Sequence, residues 1–410
     1  MRVLWILNTP MPEAMSVLTG RPEVSRSTGS WVCALSEALG QRSGITLFTA
    51  APSALTRKPV EIKGPSATHF VVPVKGNHWK EIYQQVQPDV VHIHGTEYPF
   101  FLDFVEACGN DHVVASLQGL LCEYRKVFYG GIPEDTIRRY VTFRDVIRKD
   151  SLIAKKADCW KRGEAEIALL RRVKHVMGRT SWDREVSLGV NPALQYHYCS
   201  EALREPFYSG EWAYGQCIRH RIFLSQGTNP FKGAHKLFEA LPGVLEKYPD
   251  TTVHIAGPNV LLGGRVKVKC LRNGFGAYLS ALLHQYGLTE AVSFIGESDA
   301  RRIKRELLAA NVYVLPSVIE NSPNSLCEAQ MLGVPAVASD VGGTSSLIPD
   351  ASCGKLYPFD DVRALTEAII QSFEESPSFE HAHMRAVAAE RHDRERIVRD
   401  LLQVYGEVAD

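Results

Sequence analysis

The stretch LPSVIENSPNSLCEAQMLGVPAVASDVGG, residues 315–343, sets two glutamates, Glu320 and Glu328, either side of a polar NSPNS loop. An apolar strand ends just before the loop and a short helix follows it. Ser322 suits the helix cap, Pro323 its first position, and Gly333 with Pro335 its end. Such a helix starts with unpaired backbone N–H groups on Asn324, Ser325 and Leu326, an arrangement that binds phosphate. Glu328, one turn in, is placed to accept from vicinal hydroxyls such as a ribose presents. Glu320, on the loop, would reach hydroxyls on the far side of a diphosphate. Hydroxyls at both ends with a diphosphate between describe a sugar nucleotide. Taken singly, Glu328 is explained as a helix-end charge and Glu320 as a solvated loop residue. The strand end, the helix start and the VGG turn together favour a ligand.

The elements that hold this loop follow from the rest of the chain. Short apolar runs recur between helical patterns at 3–7, 45–50, 69–74, 89–94, 113–117 and 175–179. They continue at 221–225, 252–257, 292–296, 312–317, 335–339 and 354–358. Strands apolar on both faces and separated by helices predict parallel sheets covered on each side. At 410 residues the chain is too long for one core. We expect an α/β protein of two doubly wound, Rossmann-like domains facing across a cleft. One spans 1–205 and regains a helix at about 390–410; the other spans 218–389, with the joint in the aperiodic 199–217 segment. In such sheets ligands lie outside the carboxyl ends of the strands, which is where Glu320 falls.

Several classes are set aside. No G-x-G-x-x-G joins a strand to a helix, no P-loop occurs, and no D-x-D pair at a strand end would hold a metal against a diphosphate. Hydrophobic residues at 45%, charged residues at 22% and a formal charge of zero give no field that would draw nucleic acid. Nine cysteines without a CxxC pair fit a reducing compartment rather than disulfides or a zinc site. The N-terminus, MRVLWILNTPMPEAM, does not read as a signal peptide. No window approaches the ~20 apolar residues of a spanning helix. A cytoplasmic protein is expected, working on any membrane material from the inner face.

The E-x7-E of Glu320 and Glu328, continuing as EAQMLGVPAVASDVGG, resembles the donor-site signature of retaining glycosyltransferases of family 4, within the group 1 glycosyltransferases of GT-B fold. NPFKGAHKLFEAL (229–241) resembles the segment bearing a diphosphate-binding lysine, here Lys232. STGSWVCALSEALGQRSGITLFTA (27–50) resembles the first helix, with Gly29 in its diphosphate-facing loop. PDVVHIHG (88–95) resembles the acceptor-domain strand, and 166–185 the segment before the interdomain linker. Three positions depart from the family pattern. Gly227 stands where an arginine is usual, which would load phosphate binding onto Lys232, the helix end and either Thr228 or Gln226. Asn321 replaces a glycine after Glu320. Gln118 stands where many members carry a histidine; it cannot be a base but can hydrogen-bond a sugar hydroxyl. His94 is a further candidate for the acceptor side.

The resemblance implies transfer of a sugar from a nucleotide-diphosphate donor to a hydroxyl acceptor, with retention at the anomeric carbon and without a metal or other cofactor. Lys232 and Glu320 are the expected catalytic residues. The acceptor would be a sugar, a glycan or a lipid-linked saccharide, as in polysaccharide or glycoconjugate biosynthesis. A phosphorylase or a sugar-nucleotide epimerase of the same architecture, and a non-catalytic sugar-nucleotide-binding subunit, remain alternatives. The segment 138–162 sets Arg138, Arg139, Arg144, Arg148, Lys149, Lys155, Lys156, Lys161 and Arg162 against Asp145, Asp150 and Asp158. It reads either as a solvated helix face or as a peripheral contact with an anionic membrane or a lipid-diphosphate acceptor.

Overall fold

A computed structural model describes residues 1–21, 30–40, 42–259 and 272–410. The chain divides into two compact units. Unit 1 comprises Met1–Cys122, Lys161–Arg204 and His392–Asp410; unit 2 comprises Glu123–Trp160 and Glu205–Arg391.

Unit 1 is built on β1 (Arg2–Ile6), β2 (Thr46–Ser53), β3 (Val60–Lys63), β4 (Thr68–Pro73), β5 (Val90–His94), β6 (Val113–Ser116), β7 (His175–Gly178) and β8 (Gln195–Tyr198). Their order across the sheet is β3-β4-β2-β1-β5-β6-β7-β8. Every pairing is parallel except β3 with β4. Strand order reverses between β1 and β5. The helix Arg394–Ala409 closes one face, burying Ile397, Val398, Leu401, Val404 and Tyr405 against Trp5, Leu39 and Val114.

Unit 2 is a smaller sheet of β9 (Arg221–Leu224), β10 (Thr252–Ile255), β11 (Val292–Phe294), β12 (Val312–Leu315), β13 (Ala336–Ser339) and β14 (Lys355–Tyr357). The order is β11-β10-β9-β12-β13-β14, all parallel. Here the reversal falls between β9 and β12, the place where a doubly wound sheet receives its ligand. β12 is wholly buried, as a central strand covered by helices on both faces must be.

The twelve apolar runs are all strands. The two the sequence did not reveal, β3 and β8, are edges: VEIK and QYHY carry only one buried position or none, so neither has the two apolar faces that mark an inner strand. A division at 1–205 and 218–389 needs a correction. Glu123–Trp160 belong to unit 2, because Tyr129, Ile132 and Ile137 are buried in the same core as Leu237, Phe275 and Leu279. No helix among the described residues is long and apolar enough to cross a membrane.

Candidate active site

The loops after β9 and β12 bring together the residues singled out in unit 2. The chain leaves β9 through Ser225 to Asn229, makes one 3-10 turn at Pro230–Lys232, and enters the helix Ala234–Lys247. Between turn and helix stands Gly233 at φ 72°, where a Cβ would lie 1.6 Å from the Pro316 carbonyl oxygen. Only glycine lets this loop press against the end of β12. The Val318 N–H donates to the Phe231 carbonyl at 2.8 Å and ties the two loops together.

Lys232 therefore arrives beside Glu320. Its ammonium lies 2.6 Å from Glu320 Oε1, and the Ser317 hydroxyl donates to the same oxygen at 2.7 Å. The lysine side chain is 22% exposed and the carboxylate 5%. Glu320 is thus not a solvated loop charge. Its backbone is held as firmly: the Gly343 N–H donates to the Glu320 carbonyl at 3.0 Å, and Gly342, at φ 53°, would drive a Cβ to 2.0 Å from that oxygen. This is the role of the VGG turn. Asn321, in the place of a glycine, is buried.

The helix after the loop runs Asn324–Leu332 and ends at Gly333 in the left-handed conformation. Its start differs from the expected cap. Pro323, not Ser322, occupies the cap position, and no side chain caps the helix. The Pro323 carbonyl already accepts from the Leu326 and Cys327 N–H groups, at 3.0 and 3.3 Å, so Ser322 lies one residue outside. The Asn324 and Ser325 amides precede the first helical bond, the position from which a helix start can bind an anion; the Leu326 N–H is already engaged. Glu328 is buried one turn further in, 2% exposed.

The Tyr313 and Ser225 hydroxyls beneath this end were not singled out from the sequence. The Tyr313 hydroxyl donates to Ser325 Oγ at 2.7 Å and lies 3.1 Å from Ser225 Oγ, linking β12, the helix start and the loop after β9. Burial raises its pKa, with Glu320 and Glu328 adding to the shift, so the phenol stays protonated. In sequence Tyr313 is one more apolar residue of VYVLPS. Thr228 is half-buried beside Gly257, at the end of β10. Gly227 is buried, and a Cβ there would lie 2.8 Å from Ile255 Cγ2 and 3.2 Å from Ala234 Cβ. The missing arginine has a packing counterpart: β10 and the helix behind it fill that position.

The remaining candidates lie in unit 1 or beyond the described residues, to which Gly29 does not belong. His94 ends β5, 4% exposed, stacked on His92 at 3.7 Å between ring centres and edge-on to Trp5. Burial, with His92 beside it, holds its pKa well below the usual value, so the ring is neutral. Gln118, after β6, donates through its amide to Glu201, which also pairs with Arg179. Beyond His94, Thr96 donates its hydroxyl to Glu166 at 2.6 Å, and the Cys122 N–H donates to the other Glu166 oxygen at 2.8 Å. Burial pushes the Glu166 carboxyl up to about 7. Glu97 accepts from the Thr96 and Gly119 N–H groups, at 2.9 and 3.0 Å. The sequence did carry a sign of Glu166: it precedes Leu169 and Leu170 by three and four residues, on the helix stripe that is buried.

The site in unit 2 lies within a stretch, residues 220–392, that matches the family model described as glycosyl transferases group 1. Over these residues the chain is similar to a group 1 glycosyl transferase domain. Relatives of this domain include a phosphatidyl-myo-inositol mannosyltransferase of Mycobacterium leprae, 30% identical over 190 residues, 46% of each chain. A D-inositol 3-phosphate glycosyltransferase of Corynebacterium urealyticum is 26% identical over 178 residues, 42% of this chain and 40% of the relative. The chain thus spans less than half the length of these curated relatives. Over the whole chain the likeness is one of fold. Sucrose-phosphate synthase from Thermosynechococcus elongatus superposes with a TM-score of 0.68 at 17% identity, covering 100% of this chain and 99% of that one. Anabaena HepE, solved in complex with UDP-glucose, gives 0.66 at 15% identity, covering 99% and 100%. The matched stretch accordingly falls on the second Rossmann-like domain of a GT-B fold.

Proposed function

We propose that the protein is a retaining glycosyltransferase that moves a sugar from a nucleotide-diphosphate donor to a hydroxyl acceptor in glycoconjugate or polysaccharide biosynthesis. The observation that carries this reading is the convergence of Lys232, Glu320 and the Asn324–Leu332 helix start at the strand-order reversal of unit 2. A cation and unpaired amides meet the diphosphate, and the two buried carboxylates meet hydroxyls at its two ends, Glu328 the ribose and Glu320 the transferred sugar. Asn321, Ser322, Pro323 and Thr228 shape the same wall.

In the reaction the bond between the anomeric carbon and the diphosphate oxygen breaks and one to the acceptor oxygen forms on the same face. The acceptor proton passes to the departing phosphate oxygen, so no protein base is required. Charge grows on the leaving diphosphate, and Lys232 with the Asn324 and Ser325 amides stabilises it there more than in the ground state. Those donors take the place of a metal. His94 and Gln118 belong to the acceptor side of the reading, His94 as a neutral ring and Gln118 as an amide.

The test is product formation from radiolabelled nucleotide sugars, preceded by a thermal-shift panel of nucleotides. A ligand at about 100 times its dissociation constant should stabilise the fold by about 2.7 kcal/mol. Lys232→Met, which keeps the length of the stem and removes the charge, should cut turnover about a hundredfold or more. Stabilisation by no nucleotide diphosphate, or full turnover in a folded Lys232→Met variant, would defeat the proposal.

A further inference from the structure

The segment around Phe143 is folded inside out. The helix Phe143–Arg148 buries Asp145 and exposes Phe143, Val146 and Ile147, at 79%, 62% and 65%. The three apolar residues stand at positions i, i+3 and i+4, so they share one helical face. Nothing in the local chemistry leaves this orientation to chance. Thr142 and Asp145 form a reciprocal capping box, and Asp145 Oδ2 also accepts from the Gly274 N–H at 2.8 Å. Arg144 grips Asp150 with two bonds of 2.9 and 3.0 Å. The polar side is thus bolted onto unit 2, and the apolar side is held toward solvent.

The cations around it divide into two groups. Arg144 is spent on Asp145 and Asp150, Arg138 pairs with Glu134, and Lys156 lies 3.9 Å from Glu134. Arg139, Arg148, Lys149 and Lys155 are exposed and have no ion pair with a described residue. Two of these four, Arg148 and Lys149, close the apolar helix itself. An exposed apolar face flanked by uncompensated cations matches a surface that is apolar inside and anionic outside. A partner protein fits less well, since three side chains of a six-residue helix fall short of the about 800 Å² a stable interface buries on each side.

We propose that Phe143, Val146 and Ile147 insert into the headgroup boundary of an anionic lipid bilayer, with Arg139, Arg148, Lys149 and Lys155 on the lipid phosphates. The donor site takes no part in this, so either proposal can fail alone. The test is flotation of the full chain with vesicles of phosphatidylcholine alone or mixed with phosphatidylglycerol, at low and at high salt. The wild type should bind the anionic vesicles at least tenfold more tightly than the neutral ones and be released by salt. Phe143→Ser/Val146→Ser/Ile147→Ser should lower that affinity about tenfold or more, with the melting temperature kept. Neutralising the rim, Arg148→Gln/Lys149→Gln/Lys155→Gln, should remove the preference for anionic lipid. Phe143→Trp supplies a second reading, a blue shift of the added emission on anionic vesicles. Equal binding to both vesicle types, unchanged binding by the serine variant, or no spectral shift would overturn the proposal. So would a self-association in the absence of lipid that the serine variant abolishes, which would assign the face to a second copy of the chain.

Discussion

Glu320→Gln separates the two halves of the proposed donor site. In the unliganded protein Lys232 is already neutralised, 2.6 Å from a carboxylate that is 5% exposed. Opposite charges at about 4 Å attract by about 4 kcal/mol at an effective dielectric near 20. A diphosphate that recruits Lys232 has to weaken this attraction, and it also meets the negative charge of Glu320. The glutamine keeps an oxygen for the Ser317 hydroxyl and for the lysine, but removes the charge. Recovering a quarter of the attraction, about 1 kcal/mol, tightens binding of the free nucleotide diphosphate about fivefold. Sugar transfer should move the other way, falling about a hundredfold, because the carboxylate that would hold the transferred sugar is gone. Calorimetry with the nucleotide diphosphate and turnover with the labelled donor, on one preparation, read both numbers. A tenfold loss of nucleotide affinity in a variant that melts like the wild type would show that Glu320 holds the nucleotide instead, and that the donor lies the other way round.

Glu328→Gln should behave in reverse, weakening the nucleotide diphosphate about tenfold or more by calorimetry, since the carboxylate proposed to accept from two ribose hydroxyls becomes a neutral amide; a change in melting temperature alone would leave Glu328 a helix residue only. Gly227→Arg should not raise turnover, and by denaturant unfolding it should cost about 1–3 kcal/mol, because its Cβ must push Ile255 aside; a stable, more active variant would refute the packing account. Glu166 gives a pH signature. Its carboxyl is raised from 4.5 to about 7 in the folded state, so between those values the folded protein holds a proton that the unfolded chain has released. Stability should then fall as pH rises through that window, by up to about 3 kcal/mol, and Glu166→Gln should remove that part of the slope. Parallel stability profiles for the two proteins between pH 5 and 8 would refute it.

Strands and their parallel sense were legible from sequence because an inner strand needs apolar residues on both faces, and VYVLPS or VVHIH admits no other reading. The edges β3 and β8 lack that demand and left no mark. The E-x7-E loop was legible as a strand end, a helix start and a glycine turn, all of them local grammar. Tertiary structure decided what the local pattern could not carry. A cap depends on which carbonyl first accepts a helical bond, and that set Pro323 rather than Ser322 at the cap position. The pairing of Lys232 with Glu320 joins residues 88 apart in the chain. It exists because Gly233 and Pro316 can touch, which no single window encodes. The Tyr313 hydroxyl and Glu166 looked like ordinary members of apolar elements until packing gave them partners. The cations of 138–162 could be counted in sequence, but which of them are spent on Glu134, Asp145 and Asp150 was settled only when the chain folded. Burial and pairing belong to the whole assembly of neighbours, while periodicity and turn chemistry belong to the chain itself.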